Sequence, residues 1–180
     1  MKKIFLTAAI FSFFISCKDS TNTGTTENSQ NEKNLANNRK VYKAIETGDA
    51  STIDSLIADD AVDHQGPNGV DIKGGDSIKH MLTEMHNHVK DLKFDVIADA
   101  ANGDYIFAMA NIKGTTNDAW MGMPAGLKMD EKGVDVIKIR DGKMVEHWGF
   151  VDANEMMKHM KEMPANSKMD SKMTDTTKKK

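Results

Sequence analysis

The stretch GVDVIKIRDGKMVEHWGFVD, residues 133–152, decides how this chain folds. Two alternating runs flank Asp141-Gly142, and Asp-Gly between such runs is a strong hairpin signal. In the first run Asp135 keeps step with Ile137 and Ile139, so its carboxylate shares their apolar face. Two settings accommodate a charge there. One is a frayed strand end in water just after Gly133, ion-paired with Lys132 or Lys138; the other is a carboxylate kept in a pocket for chemistry. Its cross-strand partner depends on the turn. A two-residue turn puts Asp135 opposite Trp148 and Glu146 opposite Ile137. A three-residue loop with Gly142 left-handed puts Asp135 opposite His147 instead. A slip of one residue exchanges the faces of a strand, so the sequence leaves both registers open. Trp148 would desolvate the carboxylate, whereas His147 would share a proton with it.

Working outward, LKFDVIA (92–98) alternates as a strand with Leu92, Phe94 and Val96 inward. NGD (102–104) turns the chain, and YIFAMANIKG (105–114) returns it. The next loop, TTNDAWMGMPAGLK (115–128), carries Trp120, Met121 and Met123, which suit a lid over a cavity, internal packing or a contact with another copy. Helical patterns precede the strands. Leu35, Val41, Tyr42 and Ile45 form one stripe that ends at Gly48, and Tyr42 either fills the core or points its hydroxyl into a cavity. A short second helix is expected around Ile53, Leu56 and Ile57, followed by an extended piece from Ala61 to His64. A third helix, GGDSIKHMLTEMHNHV (74–89), is expected to be capped by Asp76, with Ile78, Met81, Leu82 and Met85 on its apolar face. Asp152 and Glu155 resemble a capping box for a last helix bearing Met156, Met160 and Met163. Helices followed by a run of strands give an α+β fold: a curved antiparallel sheet with helices packed on its concave face and a conical cavity between them.

The ends read differently. Lys2 and Lys3, an apolar run from Ile4 to Ile15, then Ser16-Cys17 match a bacterial lipoprotein signal over residues 1–16, with Cys17 lipidated as the first mature residue. The membrane is then a partner through that anchor, and the protein is exported to an outer membrane or cell surface. Residues 17–34 read as a solvated tether, 35–163 as the domain and 164–180 as a basic tail. With a single cysteine in the chain, no disulfide framework or thiolate zinc site is available. The net charge of −3 resides in an acidic domain once the lysine-rich ends are set aside, which argues against nucleic-acid binding. His80, His86 and His88 do not make a metal site, because His86 and His88 fall about 200° apart on one helix.

AIETGDASTIDSLIADDAVDH (44–64), the GMPAG loop (122–126) and the opening hairpin, at their spacing, resemble the SnoaL-like polyketide cyclases of the nuclear-transport-factor-2-like superfamily. The resemblance covers about residues 35–163. It implies a cone-shaped fold with a deep cavity and, at Asp135, a general base that removes a proton next to a carbonyl without cofactor or metal. His147 would polarise or shuttle. His64, at a position that in relatives faces the cavity mouth, would join it or else cap a helix or sit on the surface. Trp148, Glu146, Trp120, Met123 and Tyr42 would line the cavity. The ligand it implies is a small apolar or carbonyl-containing molecule. A noncatalytic binding module and a homodimer through the sheet are the alternatives. Two positions depart from the family pattern: Thr116 stands where a histidine is common, and Gly149 where an aspartate is common. Both changes thin the polar machinery of the cavity.

Overall fold

The computed structural model describes residues 23–162. The signal segment, Cys17 and the basic tail from 164 lie outside them. Helix α1 (Thr23–Thr47) leads to a single turn, α2 (Ala50–Ile53), capped by Asp49, whose carboxylate accepts from Ser51 N. Strand β1 (Ile57–Asp63), a 3-10 turn at Pro67–Gly69 and β2 (Ile72–Lys73) precede α3 (Gly75–His88). Four long strands follow, β3 (Val89–Asn102), β4 (Tyr105–Thr116), β5 (Lys128–Arg140) and β6 (Lys143–Val151), and then α4 (Ala153–Glu162). The α+β class stands.

One six-stranded sheet carries these strands in the order β2-β1-β6-β5-β4-β3. It is mixed rather than wholly antiparallel: β1 runs parallel to β6, and every other pair is antiparallel. Irregularities between Lys90 and Lys93, between Val96 and Ala98, and opposite Lys138–Ile139 bend it around the helices. On its inner side Tyr42 and Ile45 of α1 pack with Leu92, Ile106, Ala108 and Ile137. Ala44, Ile53, Ile57, Ala61, Ile78 and Val145 close a second cluster beneath α3. The outer side carries exposed Tyr105, Phe107, Met109 and Phe150.

Several boundaries differ from the expectation, each for a local reason. Helix α1 begins at Thr23 rather than Leu35, so the segment read as tether is partly helical. Its buried face there is made of Asn34 and Asn38, 5 % and 8 % exposed, and a search for apolar stripes passes over amides. Gln30 Nε2 donates to Asn34 Oδ1 at 2.9 Å, which meets part of the cost of burying that amide. Gly74, not Asp76, caps α3, and Asp76 sits in its first turn. Leu56 and Ile57 have left the second helix, and Ile57 already starts β1. Strand β5 starts at Lys128, which removes the frayed-end setting for Asp135: it pairs with Ala108 on one side and Gly149 on the other.

Candidate active site

The register of the β5–β6 hairpin determines which side chains meet. Asp141 and Gly142 both have positive φ, 53° and 76°, as the mirror-image two-residue turn requires. Arg140 then pairs with Lys143 and Ile139 with Met144. The register slips by one residue at Val145, so Lys138 pairs with Glu146, Ile137 with His147 and Asp135 with Gly149. Neither expected register survives: the turn has two residues, and an irregularity behind it shifts everything beyond. The consequence is a change of face. His147 joins Asp135 on the inner side, and Trp148 goes to the outer side.

His147 sits between two carboxylates. Its Nδ1 lies 3.0 Å from Asp63 Oδ2 and its Nε2 3.5 Å from Asp135 Oδ1. Asp63 arrives through the parallel β1–β6 pairing, which makes it the direct neighbour of His147. The other Asp135 oxygen, Oδ2, accepts the Tyr42 hydroxyl at 2.6 Å. Exposure is small throughout, 16 % for the His147 side chain and 18 % for that of Asp135. Burial works against a charged imidazole, yet the hydrogen bonds and charges of Asp135 and Asp63 outweigh it and lift His147 to about 9. The ring is therefore an imidazolium at neutral pH. Burial, then the charge and hydrogen bond of Asp135, push the Tyr42 phenol far up, with the Asn38 amide pulling weakly the other way. Tyr42 remains a protonated donor.

This cluster forms the polar end of a cavity of about 460 Å³. Its walls are apolar: Val41, Tyr42 and Ile45 from α1, Met81, Leu82 and Met85 from α3, and Phe94, Ile112, Met129, Ile137 and Met144 from the sheet. Trp120, Met121 and Met123 cover it from the β4–β5 loop. Asn38, Gln65 and Glu131 complete the polar lining. The loop is held closely. Trp120 N donates to Met123 O at 3.0 Å, and Met123 N donates back at 2.8 Å. Thr116, where the family pattern favours histidine, is buried and structural: its Oγ1 donates to Pro124 O at 2.6 Å and accepts from Leu127 N at 2.8 Å. His88 Nδ1 donates to Asp118 at 2.8 Å, and the same ring stacks on Trp120 with centroids 5.2 Å apart.

The structure thus brings Asp135, His147, Tyr42, Trp120 and Met123 to one cavity and leaves three expected members outside its lining. His64 is one of these: its Nδ1 donates to Asp71 at 3.0 Å, and its ring stacks on Trp148 at 4.9 Å. Glu146 accepts from Lys138 Nζ at 2.7 Å across the outer face. Trp148 covers His64 and does not desolvate Asp135. The parity of β1 accounts for His64: Ala61 and Asp63 point inward and are buried, so the next residue points away. That alternation was the available signal for Asp63, which sequence reasoning missed. Asn38 and Gln65 were missed as well; nothing in their local pattern marks them. His86, set aside as a ligand, donates from Nδ1 to Glu46 O at 2.7 Å.

Residues 36–160 match the family model of the SnoaL-like polyketide cyclases. A search among curated proteins finds no match. Among solved structures, IdmH, a putative polyketide cyclase from Streptomyces antibioticus, aligns at TM-score 0.57 and 25 % identity, covering 71 % of this chain and 98 % of its own. A putative SnoaL-like polyketide cyclase from Jannaschia aligns at TM-score 0.63 and 15 % identity, over 74 % and 95 %. An epoxide hydrolase from M. tuberculosis aligns at 0.59 and 17 %, over 72 % and 90 %. At these lower identities the likeness is one of fold, and that fold serves more than one chemistry.

Proposed function

The chain belongs to the SnoaL-like polyketide cyclase family, and from that premise we propose that its cavity binds a small, neutral, apolar carbonyl compound and that Asp135 removes the proton next to the carbonyl. The observation that carries this reading is Asp135 on the inner face, one oxygen taking the Tyr42 hydroxyl and the other facing the His147 ring, at the polar end of a largely apolar cavity. The chemistry follows from the parts. The Asp135 carboxylate takes the proton, and the C–H electron pair becomes an enolate. The enolate carbon then bonds to a second carbonyl carbon, or is reprotonated at another position. The proton held by Asp135 returns to the alkoxide or carbon that results, so the cycle is redox-neutral. The His147 imidazolium stands beside the base and balances carboxylate charge, with Asp63 holding it from behind. Trp120, Met121 and Met123 exclude water from the enolate.

Proton abstraction is measurable without knowing the natural product. Deuterium exchange at the position next to the carbonyl of a small aryl ketone, followed by NMR in deuterated water, should be accelerated by the protein. Asp135→Asn should lower that acceleration by about 10²-fold or more, the usual range for a general base. Equal exchange with both proteins would remove Asp135 as the base. Lipid anchoring through Cys17 belongs to the same reading, and labelling with a radioactive fatty acid should be lost in Cys17→Ser. Polyketide intermediates are made inside cells, so an exported protein would apply this chemistry to other carbonyl compounds.

A second reading is favoured by a different observation. Phe107 and Phe150 of the outer sheet face are 45 % and 58 % exposed and flank Val134 and Val136. An exposed apolar patch of this kind fits contact with a second copy. Sedimentation should give a dimer; a monomer at micromolar concentration would dismiss it.

A further inference from the structure

Gly149 is the cross-strand partner of Asp135, on the same inner face and at the point where a side chain would lean over the carboxylate. The position is not empty. A Cβ built on Gly149 would overlap the Gln65 carboxamide at its nitrogen, carbon and oxygen alike, so that amide lies directly on the glycine. Gln65 comes from the turn after β1, and its backbone N donates to Asp63 Oδ1 at 2.8 Å. The same Asp63 holds His147 through its other oxygen. The turn carrying Gln65 is therefore pinned to the cluster, and its amide lines the same cavity as Asp135 and His147.

We propose that Gln65, admitted over Gly149, is the group that receives the ligand's carbonyl oxygen beside Asp135 and so selects neutral carbonyl compounds. This rests on the reading of the cavity as a carbonyl-binding site. The chemistry favours an amide here. Asp63 and Asp135 already outnumber the single imidazolium, so a further carboxylate at position 149 would add negative charge beside the base and repel the electron-rich oxygen of a carbonyl. An amide N–H instead donates to that oxygen and strengthens its bond as charge develops on it. Gln65 is exposed as a residue, which leaves its side chain free to adjust to a ligand from the cavity mouth. Any side chain at 149 would push the amide out, so the glycine and the glutamine act as one unit.

The test uses two fluorescent probes and four full-length chains: wild type, Gln65→Ala, Gly149→Ala and the double variant. Prodan is a neutral naphthyl ketone whose emission reports hydrogen bonding to its carbonyl; N-phenylnaphthylamine is similar in size and lacks a carbonyl. Uptake by other apolar surfaces is common to all four chains and cancels between them. Gln65→Ala should weaken prodan about three- to tenfold, the range for one hydrogen bond, with a blue shift of emission, and leave the second probe unchanged. Gly149→Ala should give the same loss, and it should add nothing when Gln65 is already alanine. Equal loss for both probes, unchanged prodan binding in Gln65→Ala, or fully additive single effects would overturn the role of Gln65 while leaving the cavity reading in place. If wild type takes up neither probe, the cavity reading falls and this inference falls with it.

Discussion

The two faces of the β5–β6 hairpin offer the same kinds of side chain in opposite circumstances. On the inner face His147 lies between Asp63 and Asp135, closed in by Ile137, Met144 and the helices. On the outer face His64 lies between Asp71 and Glu146, which is also paired with Lys138. Each cluster is a histidine flanked by two carboxylates. In the first, Asp63 is 2 % exposed and water cannot replace a lost partner. In the second, Glu146 and Lys138 keep access to solvent, and Lys138 holds the Glu146 carboxyl below its usual range mainly by a hydrogen bond that water also offers. Residue type therefore does not make the site. The burial that comes with one face of one strand does, and a single irregularity at Val145 selects that face.

Substitutions should separate the two clusters widely. His147→Leu removes the cation from beside buried Asp63 and should destabilise the fold by about 3 kcal/mol, the scale for breaking a buried pair from one side; denaturant unfolding measures it. Glu146→Gln touches only the exposed cluster and should leave the unfolding midpoint unchanged. A loss of similar size for both would erase the distinction between the faces.

Much of this arrangement is legible in the sequence, and what is not has physical causes. Alternation places Asp135 with Ile137 and Ile139, and Asp141-Gly142 marks a hairpin there, because both signals are local. The length of the turn stays open in the sequence and is two residues in the structure. The slip at Val145 is not local. Val145, at the slip, packs with Ile57, Ile78 and Ala61 in the second core cluster, contacts that no short window contains. Trp148 and Glu146 share the face of Asp135 only in the two-residue register without a slip, whereas the three-residue register already brings His147 to that face, as the slip does here. The family resemblance points to His64, whereas the parity of AVDH sends Asp63 inward. The early start of α1 was hidden because Asn34 and Asn38 occupy its buried side. The link between Gln65 and Gly149 joins residues far apart in the chain, and only the fold brings them together.

The fold holds His147 as a buried cation beside Asp135. A pH titration of the His147 ring by NMR tests it most directly. The folded value is raised from about 6.5 to about 9. The stability this group contributes is therefore complete below about pH 6.5 and declines as the pH rises through 9. A midpoint near 9, with unfolding free energy falling across that same window, is the predicted result. A midpoint at or below 6.5 would mean that burial prevails over the two carboxylates, and the charged cluster at the head of the cavity would not exist.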